Sequence, residues 1–207
     1  MAESRPAALP PAERTVGQLV AESIRFFGDH FWAVLALGLP FVGLDLLSYH
    51  EVWWKQAIAG YIVGPLICAA YVRGAMLVTG SFWSWRAYAV ALLLYVPYPF
   101  LGLYVLPAVL WFALVGLGVP AAVKEGLGVR DAVRRGLQLG RADLVHAIGG
   151  LATIVIVVGV SRLTLEVLLN TQGGQAREVA VVLADFILSP LFYVGSALLY
   201  VDQAARV

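Results

Sequence analysis

One uncharged stretch constrains the fold more than any other feature of this chain. It runs from Ala87 to Val123, 37 residues without an acidic or basic side chain. A single helix of that length would be about 55 Å long, whereas the hydrocarbon core of a bilayer is about 30 Å thick. Pro97 and Pro99 lie two residues apart within the stretch and disfavour a continuous helix there. The sequence therefore predicts two membrane spans joined by a turn at these prolines.

Similar apolar runs recur along the whole chain. Hydrophobic residues make up 61% of the sequence, against about 45–50% in a soluble domain. The sequence predicts an all-α fold, a polytopic membrane helical bundle with six transmembrane helices. Their approximate bounds are Phe31–Tyr49, Gln56–Leu77, Phe82–Val96, Leu101–Val123, Leu144–Leu163 and Val179–Val201. Residues 1–13, rich in Pro and Ala, predict a disordered N-terminal tail, and residues 14–207 form the six-span membrane domain.

Two further segments have the pattern of amphipathic helices that lie in the membrane interface. The first, Thr15 to Phe31, precedes the first span. The second, Glu125 to His146, precedes the fifth span and carries four arginines. We expect these arginines to face anionic lipid or a partner protein, either as an orienting anchor or as a specific headgroup site. They are Arg130, Arg134, Arg135 and Arg141.

The distribution of basic residues predicts the orientation. With the N-terminus and the C-terminus both in the cytoplasm, 11 of the 14 Lys and Arg residues fall on the cytoplasmic side. The other three, Lys55, Arg162 and Arg177, fall outside. This is the positive-inside pattern of multi-pass membrane proteins, and it predicts that both termini are cytoplasmic.

The two amphipathic segments also indicate an internal repeat. When the second segment is aligned so that Val129 falls on Val16, Leu137 falls on Ile24. The repeat would relate residues of about 15–80 to residues of about 128–207 in parallel orientation. The alternative is that any interfacial helix before a span looks like this.

Short motifs near the fourth span and the C-terminus carry a resemblance to a known family. They are Glu125-Gly126, Ala132-Val133-Arg134-Arg135-Gly136 and Leu199-Tyr200-Val201-Asp202. The chain from about Thr15 to its end resembles a bacterial six-span family that includes the membrane domain found beside glycerophosphoryl diester phosphodiesterases. Gly136 stands where similar members carry Ser. The resemblance implies the six-span fold and a location in the bacterial cytoplasmic membrane. It carries no catalytic residue to this chain.

Three charged residues of the fifth and sixth predicted spans form a candidate polar group. Asp185 lies two turns into the sixth span, where an ionised side chain costs up to about 2.5–3.5 kcal/mol. Arg162 and Glu166, near the outer end of the fifth span, are expected at similar depth. The group is interpreted as a structural interhelical pair, with a substrate-coupling or proton-coupling role and a solvated position as alternatives.

No metal or cofactor site is expected. His30 and His146 are predicted near the inner face and His50 near the outer face, so the three histidines cannot share a metal ion. The alternative is a four-ligand site at the inner face, formed by Asp29-His30 and Asp143 with His146, but interfacial polar residues are the default interpretation. No set of side chains suited to nucleophilic catalysis falls on one side of the membrane. A net charge of +1 gives no reason to expect a nucleic acid partner.

Three functions follow as hypotheses. The first is a non-enzymatic accessory or organising protein that contacts membrane lipids, other membrane proteins or a second copy of itself. The second is a small transporter or permease-like subunit with a site near Asp185 and Arg162, and the third is an intramembrane lipid-modifying enzyme. The Gly60–Gly64 motif could serve packing within the chain or dimer formation. A polar cavity at mid-depth would favour transport, and a packed core would favour the accessory role.

Overall fold

The computed structural model describes residues 10–48, 51–97, 101, 105–169 and 174–207. Residues 1–9 of the predicted tail, Tyr49, His50 and Pro99 lie outside the described residues, whereas the last residues of that tail form a 3-10 turn, Pro11–Glu13. Within those ranges the chain is helical and contains no strand. The α-helices are α1 (Val16–Asp29), α2 (Phe31–Leu35), α3 (Leu39–Ser48), α4 (Trp53–Thr79), α5 (Trp85–Tyr95), α6 (Val105–Trp111), α7 (Gly118–Glu125), α8 (Val129–Ala142), α9 (Leu144–Leu168), α10 (Gly174–Leu188) and α11 (Pro190–Ala204). A 3-10 turn, Ala36–Gly38, joins α2 to α3, and a π-helical turn, Phe112–Gly116, joins α6 to α7.

Five helical units in the described ranges are long and apolar enough to cross a membrane. They are Phe31–Ser48, Trp53–Thr79, Val105–Glu125, Leu144–Leu168 and Gly174–Ala204. Large apolar side chains point outward from these units, among them Trp32, Leu106 and Val145. Outward apolar surface of this extent suits lipid rather than water. The chain is therefore a multi-pass helical membrane protein. The third predicted span contains only α5, whose 11 residues extend about 16 Å.

The two described ends of the chain lie at the same end of the bundle, which we call the terminal end. Arg14 contacts Asp202 there at 2.9 Å. The ends of α4 and α7 are also at the terminal end, since Lys124 Nζ donates to the carbonyl of Thr79 at 3.1 Å. The opposite end, where α4 and α6 begin and α5 and α9 finish, is called the distal end.

Helix α5 packs antiparallel to α4, which lies at the centre of the bundle and contacts α3, α5, α7 and α11. The Tyr95 hydroxyl donates to the carbonyl of Gly60 at 3.0 Å. A Cβ on Gly64 would lie 2.4 Å from the Tyr95 ring, so only glycine fits there. Gly64 thus makes room for a tyrosine of the same chain, and the Gly60 carbonyl accepts the hydrogen bond of that tyrosine.

Helices α1 and α8 have matching bounds. Each contains 14 residues, and they begin at Val16 and Val129, the pair that the sequence alignment places together. The next helices, α2 and α9, begin at Phe31 and Leu144, which the same alignment also pairs. The start of each proposed repeat therefore has the same local structure, although the two helices have different packing partners.

Both helices bury part of their apolar faces against protein, whereas the sequence pattern suggested contact with lipid; Ile24 and Val129 of these faces stay exposed. Leu19 of α1 packs near Gly150 of α9 and is fully buried. In α8, an added Cβ at Gly136 would lie 2.6 Å from the backbone of Gly118. An added Cβ at Gly140 would lie 2.6 Å from the carbonyl of Ala113. Small residues let the α8 backbone approach the π-helical turn closely, and this fixes α8 on the bundle.

Candidate functional site

A cavity of about 390 Å³ lies in the distal half of the bundle. Its walls come from α3, α4, α5, α6, α9, α10 and α11, so most of the fold contributes to it. The lining is mainly aliphatic and aromatic. Its aromatic side chains are Phe41, Tyr71, Tyr95, Phe112, Phe192 and Tyr193. Arg162 and Asp185 are the charged side chains that line it among the described residues. A largely apolar pocket with a few polar groups is the usual form of a small-molecule site.

Arg162 joins two carboxyl groups at this cavity. Its Nη1 lies 2.7 Å from Asp185 Oδ2, within charge-assisted hydrogen-bonding distance. Its Nη2 lies 3.8 Å from Asp45 Oδ1. The pairing of Arg162 with Asp185 agrees with the sequence interpretation, whereas Asp45 was missed. A single carboxylate in the apolar run Leu44-Asp45-Leu46-Leu47 was the available signal.

Three different helices bring these side chains together. Asp45 lies one turn before the end of α3, and Arg162 lies in the last third of α9. Asp185 lies on α10, beside a close contact between that helix and the 3-10 turn. A Cβ on Gly38 in that turn would lie 2.1 Å from the carbonyl oxygen of Phe186. This glycine contact sets the distance between α3 and α10, and so it positions the two carboxyl groups.

Glu166 does not join this group. It forms an ion pair with Arg177, which lies near the start of α10. The expectation that Glu166 lies with Asp185 and Arg162 is therefore corrected. The reason is geometric: Glu166 lies one turn closer to the distal end than Arg162 and meets the first turn of α10 instead.

The charges at the cavity are unequal in number. One guanidinium group faces two carboxyl groups, and the side chains of Asp45 and Asp185 are only 8% and 6% exposed. Oδ2 of Asp45 is buried and has no hydrogen-bond partner among the described residues. Arg162 can neutralise one carboxylate. A second positive charge, either a proton or a cationic ligand, would neutralise the other.

The terminal end carries a second polar cluster. The Asp143 Oδ1 atom accepts a hydrogen bond from the backbone of His146 at 2.9 Å and caps α9, while its Oδ2 pairs with Arg206. His146 Nε2 lies 3.7 Å from Asp202 Oδ2. These contacts join the start of α9 to the C-terminal residues. They give the cluster a structural role at the point where both described ends of the chain meet.

The arginines of α8 divide into two groups. Arg130, Arg134 and Arg141 are exposed. Arg135 is half-buried, and its Nε donates to Glu125 Oε1 at 3.2 Å. The same Glu125 oxygen accepts a hydrogen bond from the Tyr200 hydroxyl at 2.9 Å. Three residues of the motifs quoted for the family resemblance therefore meet in space, although 75 positions separate Glu125 from Tyr200.

Comparisons of the chain with family models, with curated proteins and with solved structures find no match. The site therefore has to be interpreted from its own geometry.

Proposed function

We propose that this protein is a small membrane transport protein that binds a cationic amphiphile in the distal cavity. The observation that supports the proposal best is the apolar cavity whose wall contains the Arg162–Asp185 pair. The apolar walls suit the hydrophobic body of such a ligand. Asp185 lines the cavity, and Asp45 lies behind it against the same guanidinium group. Together the two carboxyl groups exceed the single charge of Arg162, and this excess at the cavity wall suits a positive group.

The lining of the cavity is mainly apolar rather than polar, but its wall contains the Arg162–Asp185 pair, and this charged pair favours transport over the accessory role. A protein that only organises its neighbours has no need of an internal space of about 390 Å³ that reaches a charged pair. Ionisable groups inside a membrane are costly, and they commonly belong to substrate or ion pathways. The exposed Arg130, Arg134 and Arg141 favour one additional role, contact with anionic lipid at the terminal end.

We propose six crossings of a bacterial cytoplasmic membrane, with both termini in the cytoplasm. Two ends on one side require an even number of crossings, and five long helical units are present in the described ranges. Helix α5, with the preceding residues 80–84, supplies the additional crossing. The relation to the phosphodiesterase-associated family and the internal duplication also stand as proposals. The contacts of Glu125 and the matching bounds of α1 and α8 support them.

Cysteine labelling tests the orientation. Cys68 is buried and is the single cysteine, so a C68S variant provides a cysteine-free background. Lys55→Cys and Gly128→Cys then place a thiol at the distal end and the terminal end. A membrane-impermeant maleimide added to intact cells should label Lys55→Cys alone. Labelling of Gly128→Cys before the cells are lysed would contradict the orientation.

Ligand binding tests the transport proposal. Tetraphenylphosphonium and tetraphenylborate have the same shape and opposite charge, so they separate the contribution of charge from that of the apolar walls. We expect purified protein to bind the cation at least about tenfold more tightly than the anion. Asp185→Asn should lower the affinity for the cation by a similar factor.

Glu166→Gln is the matched control, because it removes a carboxylate of the same region that pairs outside the cavity. Its affinity for tetraphenylphosphonium should equal that of the unmodified protein. Equal binding of both probes, or an equal loss in both variants, would show that the cavity does not select for a cation and would overturn the proposal.

A further inference from the structure

A line of polar side chains runs along one face of α10 and α11. Apart from Asp202, it contains every polar residue from Val179 to Gln203. Its members are Asp185, Ser189, Tyr193, Ser196, Tyr200 and Gln203. They are spaced by four, four, three, four and three residues, so they lie one above the next on a helix. All six are buried, and they extend from the cavity to the terminal end.

The two serines of this line differ from other buried or half-buried helical hydroxyls in the protein. Ser23, Ser48 and Thr153 each donate to the carbonyl four residues earlier, at 2.8, 2.7 and 2.8 Å. This is the ordinary way for a helical hydroxyl to be satisfied in an apolar surrounding. Ser189 and Ser196 make no such bond within the described part of the chain. The Ser189 hydroxyl, which lines the cavity, is therefore available to other partners, whereas the Ser196 hydroxyl faces the Tyr71 side chain.

Several atoms on the line need water. Ser189 Oγ and Gln203 Oε1 are buried and have no hydrogen-bond partner in the described ranges. Buried polar atoms in proteins are nearly always paired, and ordered water supplies the bond where protein does not. We infer that water molecules bridge the one-turn intervals between the hydroxyl groups.

Each end of the line meets a carboxyl group. At the terminal end, the Tyr200 hydroxyl donates to Glu125, whose side chain is 30% exposed. At the other end, Asp185 lines the cavity and contacts Arg162. The charged groups facing Asp185 are Arg162 from α9 and Asp45 from α3, while the next turn toward α11 contributes the Ser189 hydroxyl.

We propose that this line conducts protons between Glu125 at the terminal end and the Asp45–Asp185 pair at the cavity. The inference rests on the proposed function, since it gives the cavity a second cation that competes with the ligand. It makes transport an exchange of one proton for one cationic amphiphile.

The exchange balances in atoms and charge. A proton enters at the Glu125 carboxylate, and each hydroxyl or water donates one proton forward and accepts one from behind. No bond other than O–H forms or breaks along the line, and no electron is transferred. The last proton binds a carboxylate oxygen of the Asp45–Asp185 pair, and the positive charge of the ligand then leaves. Net charge at the cavity is the same before and after.

The experiment uses the full chain in liposomes that contain a pH-sensitive dye. A gradient of tetraphenylphosphonium tests the exchange, which is electroneutral. A potassium diffusion potential set by valinomycin, applied without tetraphenylphosphonium, tests whether the line carries protons to the cavity when no ligand exchanges for them. Ser196→Ala and Tyr200→Phe each remove one hydroxyl from the line, and neither residue lines the cavity. We expect each to reduce proton flux about tenfold or more, with the affinity for tetraphenylphosphonium unchanged.

Two matched controls remove hydroxyls that lie off the line. Ser23→Ala removes a buried helical serine hydroxyl, and Tyr61→Phe removes a tyrosine hydroxyl that donates to Val96. Both should keep the proton flux of the unmodified protein. Proton flux that survives in Ser196→Ala and Tyr200→Phe, or that falls equally in the controls, would overturn the proposal.

The two assays separate this proposal from the proposed function. In one outcome, tetraphenylphosphonium does not bind, but the diffusion potential drives a proton flux that Tyr200→Phe reduces. The proton line then holds, and the proposal of cation transport fails. If the ligand binds but neither driving force moves protons faster than in protein-free liposomes, the proton line fails and ligand binding stands.

Discussion

Gly38 gives a sharp test of how the fold positions the site. An alanine Cβ at this position would lie 2.1 Å from the carbonyl oxygen of Phe186 and 2.9 Å from its carbonyl carbon. Real Cβ contacts essentially never fall below 3.0 Å, so the 3-10 turn and α10 must separate by about 0.9 Å. Both contact atoms belong to the backbone, and no side-chain rotation relieves the overlap.

The size of the effect follows from this overlap. Extra atoms forced into a packed interior cost about 1–3 kcal/mol. For a chain of this length, 1 kcal/mol corresponds to a change in Tm of about 2–4 °C. Gly38→Ala should therefore lower Tm by about 2–12 °C. Because Phe186 adjoins Asp185, the same displacement should weaken tetraphenylphosphonium binding.

Gly43→Ala is the matched control, since an added Cβ there meets nothing within 4 Å. Its Tm should be unchanged or raised, because alanine favours helix over glycine by up to about 1 kcal/mol. Thermal unfolding of both variants in the same detergent provides the measurement. An equal Tm for Gly38→Ala and the unmodified protein would refute the contact between the turn and α10, and with it the account of how Asp185 is positioned.

Three further outcomes can be measured in the same way. Asp185→Asn should lower the free energy of unfolding by about 1.5 kcal/mol, because it weakens a charge-assisted hydrogen bond. Asp45→Asn should lower it by less, because Asp45 lies 3.8 Å from the guanidinium and Asp185 lies 2.7 Å from it. Asp143→Ala and Asp143→Asn both remove the ion pair with Arg206, but asparagine keeps a side-chain oxygen that caps α9. Asp143→Ala should therefore lower the free energy of unfolding by about 1 kcal/mol more than Asp143→Asn. An equal loss in the two variants would show that the cap contributes nothing to stability. Arg134→Gln should reduce the anionic lipid that copurifies with the protein and leave Tm unchanged, since Arg134 is exposed. A fall in Tm there would point to a packing role instead.

The positions of the helices were largely predictable, because they depend on local features of the sequence such as the length of each apolar run. Apolar runs long enough to cross a bilayer correspond to the five long units, and the matching bounds of α1 and α8 follow the alignment of Val16 with Val129. The length of α5 was harder to predict. Its apolar pattern continues smoothly into the residues before it, whereas the helix begins at Trp85, where Ser84 accepts a hydrogen bond from Ala87 and acts as its N-cap.

The packing of the amphipathic helices could not be read from their pattern. A helix with one apolar face buries that face against either lipid or protein, and both surroundings select the same residues. The glycines of α8 were the sequence feature that distinguishes a protein contact from a lipid contact. Gly136 and Gly140 fit a backbone-to-backbone contact with the π-helical turn, which a lipid surface would not require.

At the site, too, some contacts were predictable from the sequence and others were not. The Arg162–Asp185 pair was predictable, because an arginine and an aspartate at similar depth in neighbouring spans lower each other's cost in the membrane. Asp45 and the change of partner for Glu166 were not, since they depend on the rotation of α3 and α10 about their axes. The polar line on α11 was visible as a spacing, but the bonds its serines lack could be seen only in three dimensions.

Sequence alone determined that this chain is a helical membrane protein, because the composition of each apolar run decides whether it prefers lipid to water. It also located the basic segments and one of the intramembrane ion pairs. Tertiary structure decided which carboxyl groups share Arg162, where a cavity opens and which polar atoms stay without a protein partner. These features depend on helix rotation and interhelical distance, which small contacts such as Gly38 against Phe186 fix and which no local pattern encodes.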